Sequence, residues 1–535
     1  MTLKKRPPNE LKLSVTSQRE LDAVASALKV TVDGPSENDV YTFDGSDFKE
    51  SESNSNTDTL QTTQTFDRGE GRYTAVVDSA VASGRNWATG ERGVHEFMAY
   101  TMVEPVGGAT IGEPVTFNVG VANGFASPVD TTFAVRKGGA ADYDTDAVTF
   151  RKRATSTTDT LRLRATVPEK FVTAQGLDYY VLFTNTEGTT ITVPTGGKRA
   201  AKQSPRHLPV SFENLSPPPS VREDLSEEEV YRMASIPAAV DPTAALTERY
   251  GSYDPANWRV LRWEAAEGAY REFPDLDSTD LAAGNAFWLI TEQGTPLSLS
   301  SGQTVDASTP RAVELEPGWN QVGTPFGFAV PWNRVEAASG FAPVDLRGPY
   351  RRGPNGYQTD AALQPWRGYF VFNATSETDT LRIPPVGTSG QTAGAVRRAA
   401  RTKSADGSYT LPVTARTKKG TSTATLGLRA GAKAGWDRYD VPRPPSVRPT
   451  TQVSVMPTEE GGPRAVPHAK SVKPTGGSGR TWTLRLHRPK RSRSPSSVRL
   501  DWSAEGTLPE GQSRYVIDPS SETRVAPGKR LSLDK

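Results

Sequence analysis

Apolar and polar positions alternate with a period of two through much of the chain. Leu11, Leu13 and Val15 alternate with polar residues, as do Val115, Phe117, Val119 and Val121. Leu161, Leu163 and Ala165 repeat the pattern, and so do Trp482, Leu484 and Leu486. One apolar face and one polar face is the mark of an antiparallel strand with one side in water. Thr, Val and aromatic residues fill these runs, and Gly, Pro, Asn and Asp interrupt them about every ten residues, a spacing of many short strands. Helical patterns are few. Residues 17–28 offer a capping box (Ser17, Glu20) and an apolar stripe of Leu21, Val24, Ala25 and Leu28, which predicts a short helix, or else a loop, ahead of a strand at 29–32. The pattern predicts an all-β chain of tandem β-sandwich domains plus a two-lobed β-rich unit with short helices.

Composition shifts divide the chain. Residues 46–68 are rich in Ser, Thr, Asn and Asp without a periodic apolar set, and read as a long mobile loop. Residues 196–220, ending in Pro217-Pro218-Pro219, read as a stiff connector of polyproline type. Residues 386–406 combine Gly, Ala and Ser with Arg397, Arg398, Arg401 and Lys403, and read as a solvated hinge. The domains expected between these breaks are 9–105, 106–213, 225–385 and 407–535.

The third piece contains an internal repeat, with lobes at 225–305 and 310–385. Tyr231 to Pro237 matches Trp319 to Pro325 at an offset of 88 residues, and Tyr270 matches Tyr357 at 87. Leu281 to Ile290 matches Leu363 to Phe372 at 82, and Leu297 and Leu299 match Leu381 and Ile383 at 84. A short helix is predicted after each Pro of the first block. The first has Asp241 as N-cap, Pro242 at the first helical position and Gly251 past its end; the second has Pro331 and Gly340 in those last two roles.

The 535 residues carry Lys+Arg 63 against Asp+Glu 61, a net charge of +2, so no global field steers the chain toward nucleic acid or an anionic membrane. Cysteine is absent, which removes disulfides, thiolate metal sites and thiol nucleophiles. No run approaches the ~18 apolar residues of a membrane helix. The basic start, Lys4-Lys5-Arg6, has no apolar core after it and does not read as a signal peptide. Two expectations follow: a cytoplasmic protein, or a sequence that begins partway into a longer secreted chain.

Candidate chemistry is sparse. His95, His207, His468 and His487 are too far apart for a two-His zinc motif and read as surface or loop residues. No Gly-x-Ser-x-Gly elbow is present; the nearest string, Gly387-Thr388-Ser389-Gly390, lies in the expected hinge. Asp142, Asp144 and Asp146 have the carboxylate spacing of a calcium loop, but Ala147 stands at the turn position and Arg153 where a bidentate Glu belongs. Asp275, Asp277 and Asp280 form a second acidic cluster. Both are weak calcium candidates, with solvated acidic turns as the alternative. Gly196-Gly197-Lys198 lacks the spacing and the Ser/Thr of a P-loop. The basic run 487–493 reads as the charged tip of a hairpin between strands at 482–486 and 498–502. Six of ten tryptophans fall in the repeat. Trp288 and Trp319, inside its apolar strands, read as core, whereas Trp258 and Trp263 are the candidate ligand-facing pair.

Phe133 to Lys137, Leu161 to Val167 and the run Gly176-Leu177-Asp178-Tyr179-Tyr180-Val181-Leu182-Phe183 resemble a fibronectin type III or immunoglobulin-like module of bacterial secreted proteins. The likeness implies that the Tyr-Tyr strand is central, with its aromatics in the core. Tyr73 to Val77 is similar to bacterial Ig-like domains. Gly318-Trp319-Asn320 and Trp366-Arg367-Gly368-Tyr369-Phe370-Val371 resemble the paired Gly-Trp-Asn repeats found ahead of C-terminal sorting domains. Gly435 to Asp440, Trp482 to Leu484 and Val498 to Trp502 resemble the sandwich that follows such repeats. Proteins of that kind are exported by the type 9 route. The resemblance implies a non-catalytic extracellular or cell-surface protein of structural or adhesion type, with sandwiches as spacers and interaction domains. The expected partners are other extracellular proteins or polysaccharide, without nucleic acid, membrane span or cofactor. The alternatives are the accessory region of a secreted hydrolase and a carbohydrate-binding module.

Overall fold

The computed structural model describes residues 103–502 with their side chains, except 122–129, 154–160, 388–408, 458–465, 488–497 and a few stretches of one to three residues; outside that span it describes the backbone of strands alone. Strands dominate, with four short α-helices among the described residues. The chain forms two compact units, Met1–Lys137 with Asp142–Ser211, and Gly138–Ala141 with Phe212–Lys535.

In the first unit, Thr2–Arg6, Glu10–Ser17, Thr57–Thr65 and Lys49–Asn54 form one sheet in that order. The expected loop at 46–68 is therefore mostly an antiparallel hairpin, with Asn54 opposite Thr57. Thr57–Thr65 carries threonine in place of apolar residues, and β-branching favours an extended backbone without a hydrophobic stripe to announce it. Ser17 ends one strand and Leu28 begins another; the helix predicted between them falls outside the described residues.

Later in the same unit, Val115–Ala122 pairs with Thr101–Pro105 and Thr160–Val167, while Leu177–Asn185 pairs with Pro128–Lys137, Thr190–Val193 and Arg206–Leu208. Strands of both sheets fill one core. Phe117 lies 5.1 Å from Phe133 and 4.9 Å from Tyr179, ring centre to ring centre. Alternation sends Tyr179, Val181 and Phe183 into that core, and Tyr180 and Leu182 to a second cluster with Ala134 and Ala201. Leu177–Asn185 is thus buried on both faces, which is why it reads as an unbroken apolar run.

The connector expected at 196–220 is structured. It holds the helix Gly197–Gln203, the strands Arg206–Leu208 and Ser211–Leu215, and the start of the helix Pro219–Leu225. Ala201, Val210 and Phe212 are buried and tie it down. Pro219 opens a helix, where its missing N–H costs nothing.

In the second unit the repeat is visible as two sheets of the same strand order. One runs Arg232–Ser235, Ala286–Thr291, Trp258–Glu264, Ala269–Glu272; the other runs Gly318–Gly323, Gly368–Asn373, Leu346–Gly353, Gly356–Thr359. Registers agree across the edge pairs, while the second sheet's central pair carries a register shift between Arg347 and Tyr350 that the first lacks. Met233 lies opposite Trp288 as Gln321 lies opposite Phe370, and Trp263 opposite Tyr270 as Arg352 opposite Tyr357. Each half adds an outer strand pair, Ser211–Leu215 with Leu299–Gln303 and Arg311–Leu315 with Asp379–Ile383. Each also adds a helix. Pro242–Tyr250 starts from Asp241, whose carboxylate accepts from the Thr243 and Ala244 amides, and ends at Gly251. Trp332–Ser339 ends at Gly340. Pro331 is the N-cap of this second helix, one position before the expected one, because its backbone is still extended.

The halves are joined across a pseudo-two-fold axis. The Ser235 amide donates to Trp366 O at 3.2 Å, and its counterpart, the Gly323 amide, donates to Gly284 O at 2.9 Å. Only small residues fit there. A Cβ on Gly368 would lie 2.5 Å from Met233 Cγ and 2.7 Å from Ala286 Cβ, and one on Gly323 would meet Ser235 Cβ.

The C-terminal sheet runs Thr483–His487, Gln452–Met456, His468–Pro474, Gly420–Arg429, Tyr409–Thr417, Ser497–Trp502, Arg530–Ser532, with Val441–Pro442 as an eighth strand on His468–Pro474 and a parallel pairing of Gly420–Arg429 on His468–Pro474. Thr483–His487 and Ser497–Trp502 therefore pair with different strands and are not a hairpin. Each buries its alternating face against a partner from elsewhere in the sequence. The basic residues between them, 488–493, lie outside the described residues, as do 388–406 of the expected hinge and the string 388–390.

Candidate functional site

The acidic clusters are absorbed by the fold. Asp144 bonds the Asp146 amide at 3.0 Å and Lys170 Nζ at 3.4 Å, and these donors hold its carboxyl below the usual range. Asp142 and Asp146 are exposed. In the second cluster, Asp280 is buried between Arg262 at 3.0 Å and Arg271 at 2.6 Å, and also accepts from the Asp277 amide. Asp277 accepts from the Thr279 hydroxyl and the amides of Thr279 and Asp280, which lowers its pKa. Asp275 offers its backbone carbonyl to Arg271. These are turn caps and ion pairs, and no group of three His, Cys, Asp or Glu able to hold a metal occurs among the described residues.

Asp280 and Arg262 also line an open cleft of about 570 Å³ between the halves, with Asp241, Asn285, Arg311 and Glu314. Asp241 is pulled down to about 2, first by the Thr243 hydroxyl and then by Ser278. A carboxylate so thoroughly bonded stays ionised and caps its helix; it is no proton acceptor near neutral pH.

The tryptophan pair does not form a platform. Trp258 is 2% exposed and packs within 5.1–5.6 Å of Tyr250, Tyr253 and Phe273. Trp263 is half-buried, edge-on to Tyr270 at 5.0 Å. Five positions apart in one strand, the two rings point to opposite faces. Trp288 and Trp319 are buried, as expected.

Two histidines expected at the surface are buried. His207 Nδ1 lies 2.7 Å from Asp178 Oδ1, and Arg136 holds the other carboxylate oxygen at 3.0 Å. His468 lies 5.3 Å from the Trp436 ring, and burial pushes its pKa down to about 4. Both belong to strands whose burial the sparse apolar residues around them do not announce. His487 is exposed, and the side chain of His95 lies outside the described residues.

A different constellation is the most elaborate. One face of both repeat sheets contributes Trp288, Trp319, Tyr350, Phe370 and Phe372 to a single cluster, and Trp436, Val441, Val447 and Val466 of the C-terminal sheet region pack on it. Across this seam runs Val441-Pro442-Arg443-Pro444-Pro445-Ser446-Val447. The repeat-equivalent hydroxyls of Tyr270 and Tyr357 both donate to Pro445 O, each at 3.2 Å. Trp288 Nε1 donates to the Tyr270 oxygen at 3.2 Å, which leaves that hydroxyl's own proton for Pro445. Burial raises both phenol pKa values, that of Tyr357 to about 12, so both remain donors. At the seam's rim the Arg347 guanidinium lies 5.1 Å over Trp436. Burial raises Asp440 to about 6. The sequence shows Tyr270 and Tyr357 as a repeated pair, but the carbonyl that unites them is 88 residues beyond the second; the clue available was a proline-dense string in a region otherwise made of strands. Comparison with known proteins returns no matching family model and no matching curated protein.

Proposed function

We propose that the chain is a non-catalytic structural and interaction protein of the cell exterior, with Ig-like or fibronectin-like sandwiches as spacers ahead of a stiff terminal body. The observation that carries this reading is the paired anchoring of Pro445 by Tyr270 and Tyr357, which fastens the two-lobed repeat to the C-terminal sheet. A hydrogen-bonded, aromatic-packed joint of this kind transmits load across elements distant in sequence. The absorption of the acidic clusters into caps and ion pairs supports the same reading, since those groups stabilise turns in place of binding ligand. The likeness to Gly-Trp-Asn repeats supports export by the type 9 route.

Two readouts test it. Protease shaving of intact source cells releases peptides of this chain, and single-molecule pulling shows the repeat and the C-terminal sheet giving way in one event. Antigen confined to the cytoplasmic fraction, or separate low-force events for the two regions, would overturn it.

A further inference from the structure

We propose that the outer edge of the strand Arg311–Leu315 is a docking site for an extended peptide, which enters the open cleft between the halves as an added parallel strand with an acidic side chain facing Arg311. Arg311, Ala312, Val313 and Glu314 all line that cleft. Successive side chains of a strand point to opposite faces, so a cleft touched by four in a row runs along the strand's edge. Asp379–Ile383 occupies the other edge. On the cleft side, residues 311–314 have no backbone partner among the described residues. Such an edge presents a row of N–H and C=O groups to which a further strand can pair. The strand's inner face is closed: Val313 is buried, and a Cβ on Gly284 would lie 2.9 Å from its Cγ2.

The first half shows what this kind of edge takes. Its matching strand, Ser211–Leu215, pairs with Leu299–Gln303, yet both backbone groups of Ser211 are spent on its other side. The Ser211 amide donates to Ala109 O at 2.7 Å and the Ile111 amide donates to Ser211 O at 2.9 Å, a parallel pairing. The facing wall of the cleft repeats the contrast. Arg367, the match of Asn285, donates to Ser220 O and to the Asp224 carboxylate of the helix Pro219–Leu225. That helix lies in the long connection ahead of Arg232–Ser235, whereas only Glu316 and Pro317 separate Arg311–Leu315 from Gly318–Gly323. One edge is filled by the chain itself, and its counterpart is left for another molecule.

The charges of the cleft select the peptide. Asp280 is spent on Arg262 and Arg271, and Asp241 on its helix cap. Arg311 and Glu314 are exposed, and neither side chain has a hydrogen bond or ion pair among the described residues. A parallel segment with an acidic residue opposite Arg311 and a basic one three positions on satisfies both, since opposite charges across a strand pair attract and like charges repel. This holds whether or not the protein works at a cell surface.

The test uses the full chain and a fluorescein-labelled heptapeptide, TEVTKVT, whose acidic and basic residues are three positions apart. It binds saturably in fluorescence anisotropy and slows hydrogen exchange of amides within 311–314. N-methylation of alternate residues abolishes binding for one of the two alternating sets and spares it for the other, because only one edge of the peptide pairs with the strand. A chain carrying Arg311→Glu and Glu314→Arg binds about fivefold or more weakly, and exchanging the two charges in the peptide restores affinity. Both side chains are exposed, so the core is undisturbed by these changes. No saturable binding at millimolar peptide, slowed exchange confined to other strands, an equal response to the two methylation sets, or affinity indifferent to the charge exchange overturns the proposal.

Discussion

His468 is held neutral in the folded chain down to about pH 4, while the exposed side chain takes up a proton near 6.5. Its contribution to stability is complete above about pH 6.5 and is withdrawn as pH falls toward 4, by up to about 3 kcal/mol. Asp440 acts in the opposite sense. Its folded pKa is raised to about 6 from 3.8, so its contribution is full below 3.8 and is lost as pH rises through 6. Urea melts between pH 4.5 and 7.5 separate the two. His468→Phe flattens the acid-side decline in stability, and Asp440→Asn steepens it; profiles parallel to that of the unaltered chain would refute the assignment. Asp241 offers a second check. Its carboxylate accepts from two amides and from the Thr243 and Ser278 hydroxyls, so Asp241→Ala lowers the unfolding free energy by about 1–2 kcal/mol. The cap itself was legible from the Asp-Pro pair. The buried histidines were not, because burial of a polar ring depends on neighbours far away in sequence.

For the elements, the repeat offsets carried real information. A shift of 88 for one strand and 82 for its partner reproduces the pairing of Arg232–Ser235 with Ala286–Thr291 in that of Gly318–Gly323 with Gly368–Asn373. What the alternation could not reveal was how closely the two halves approach. Gly368 marks that contact, and Gly368→Ala puts a methyl group into Met233 and Ala286, so it destabilises by about 1–3 kcal/mol in denaturant unfolding. The string Pro-Pro-Ser-Val-Arg shows the limit of local reading. It occurs at 218–222 and again at 444–448. The first copy enters the helix Pro219–Leu225 because Glu-Asp-Leu follows it, whereas the second lies outside any helix through Val447 and precedes Pro449, which bars helical propagation. Trp258 and Trp263 were misjudged for a simpler reason: an odd spacing in a strand separates the rings, and the one facing its own lobe is enclosed.

On the scale of the whole molecule, β-rich character follows from the alternation, while the docking of the C-terminal sheet on the repeat does not, since its anchors are widely separated in sequence. The joint makes a distinctive thermodynamic prediction. With Tyr357 changed to phenylalanine, the Pro445 carbonyl keeps one donor and the cost is about 1 kcal/mol or less, whereas Tyr270→Phe also takes the acceptor from Trp288 Nε1 and costs about 1–3 kcal/mol. With both changed it keeps neither, and the cost exceeds the sum of the single losses. Thermal unfolding followed by tryptophan fluorescence measures this, and strict additivity would show that the hydroxyls do not act through a common acceptor.

One carbonyl oxygen has two lone pairs, and here each goes to one member of a duplicated pair. The two repeated lobes consequently answer to a single residue, a stoichiometry of two to one. Neither copy is free to drift alone at that position, and a gene fragment encoding only one of them would carry half a clasp.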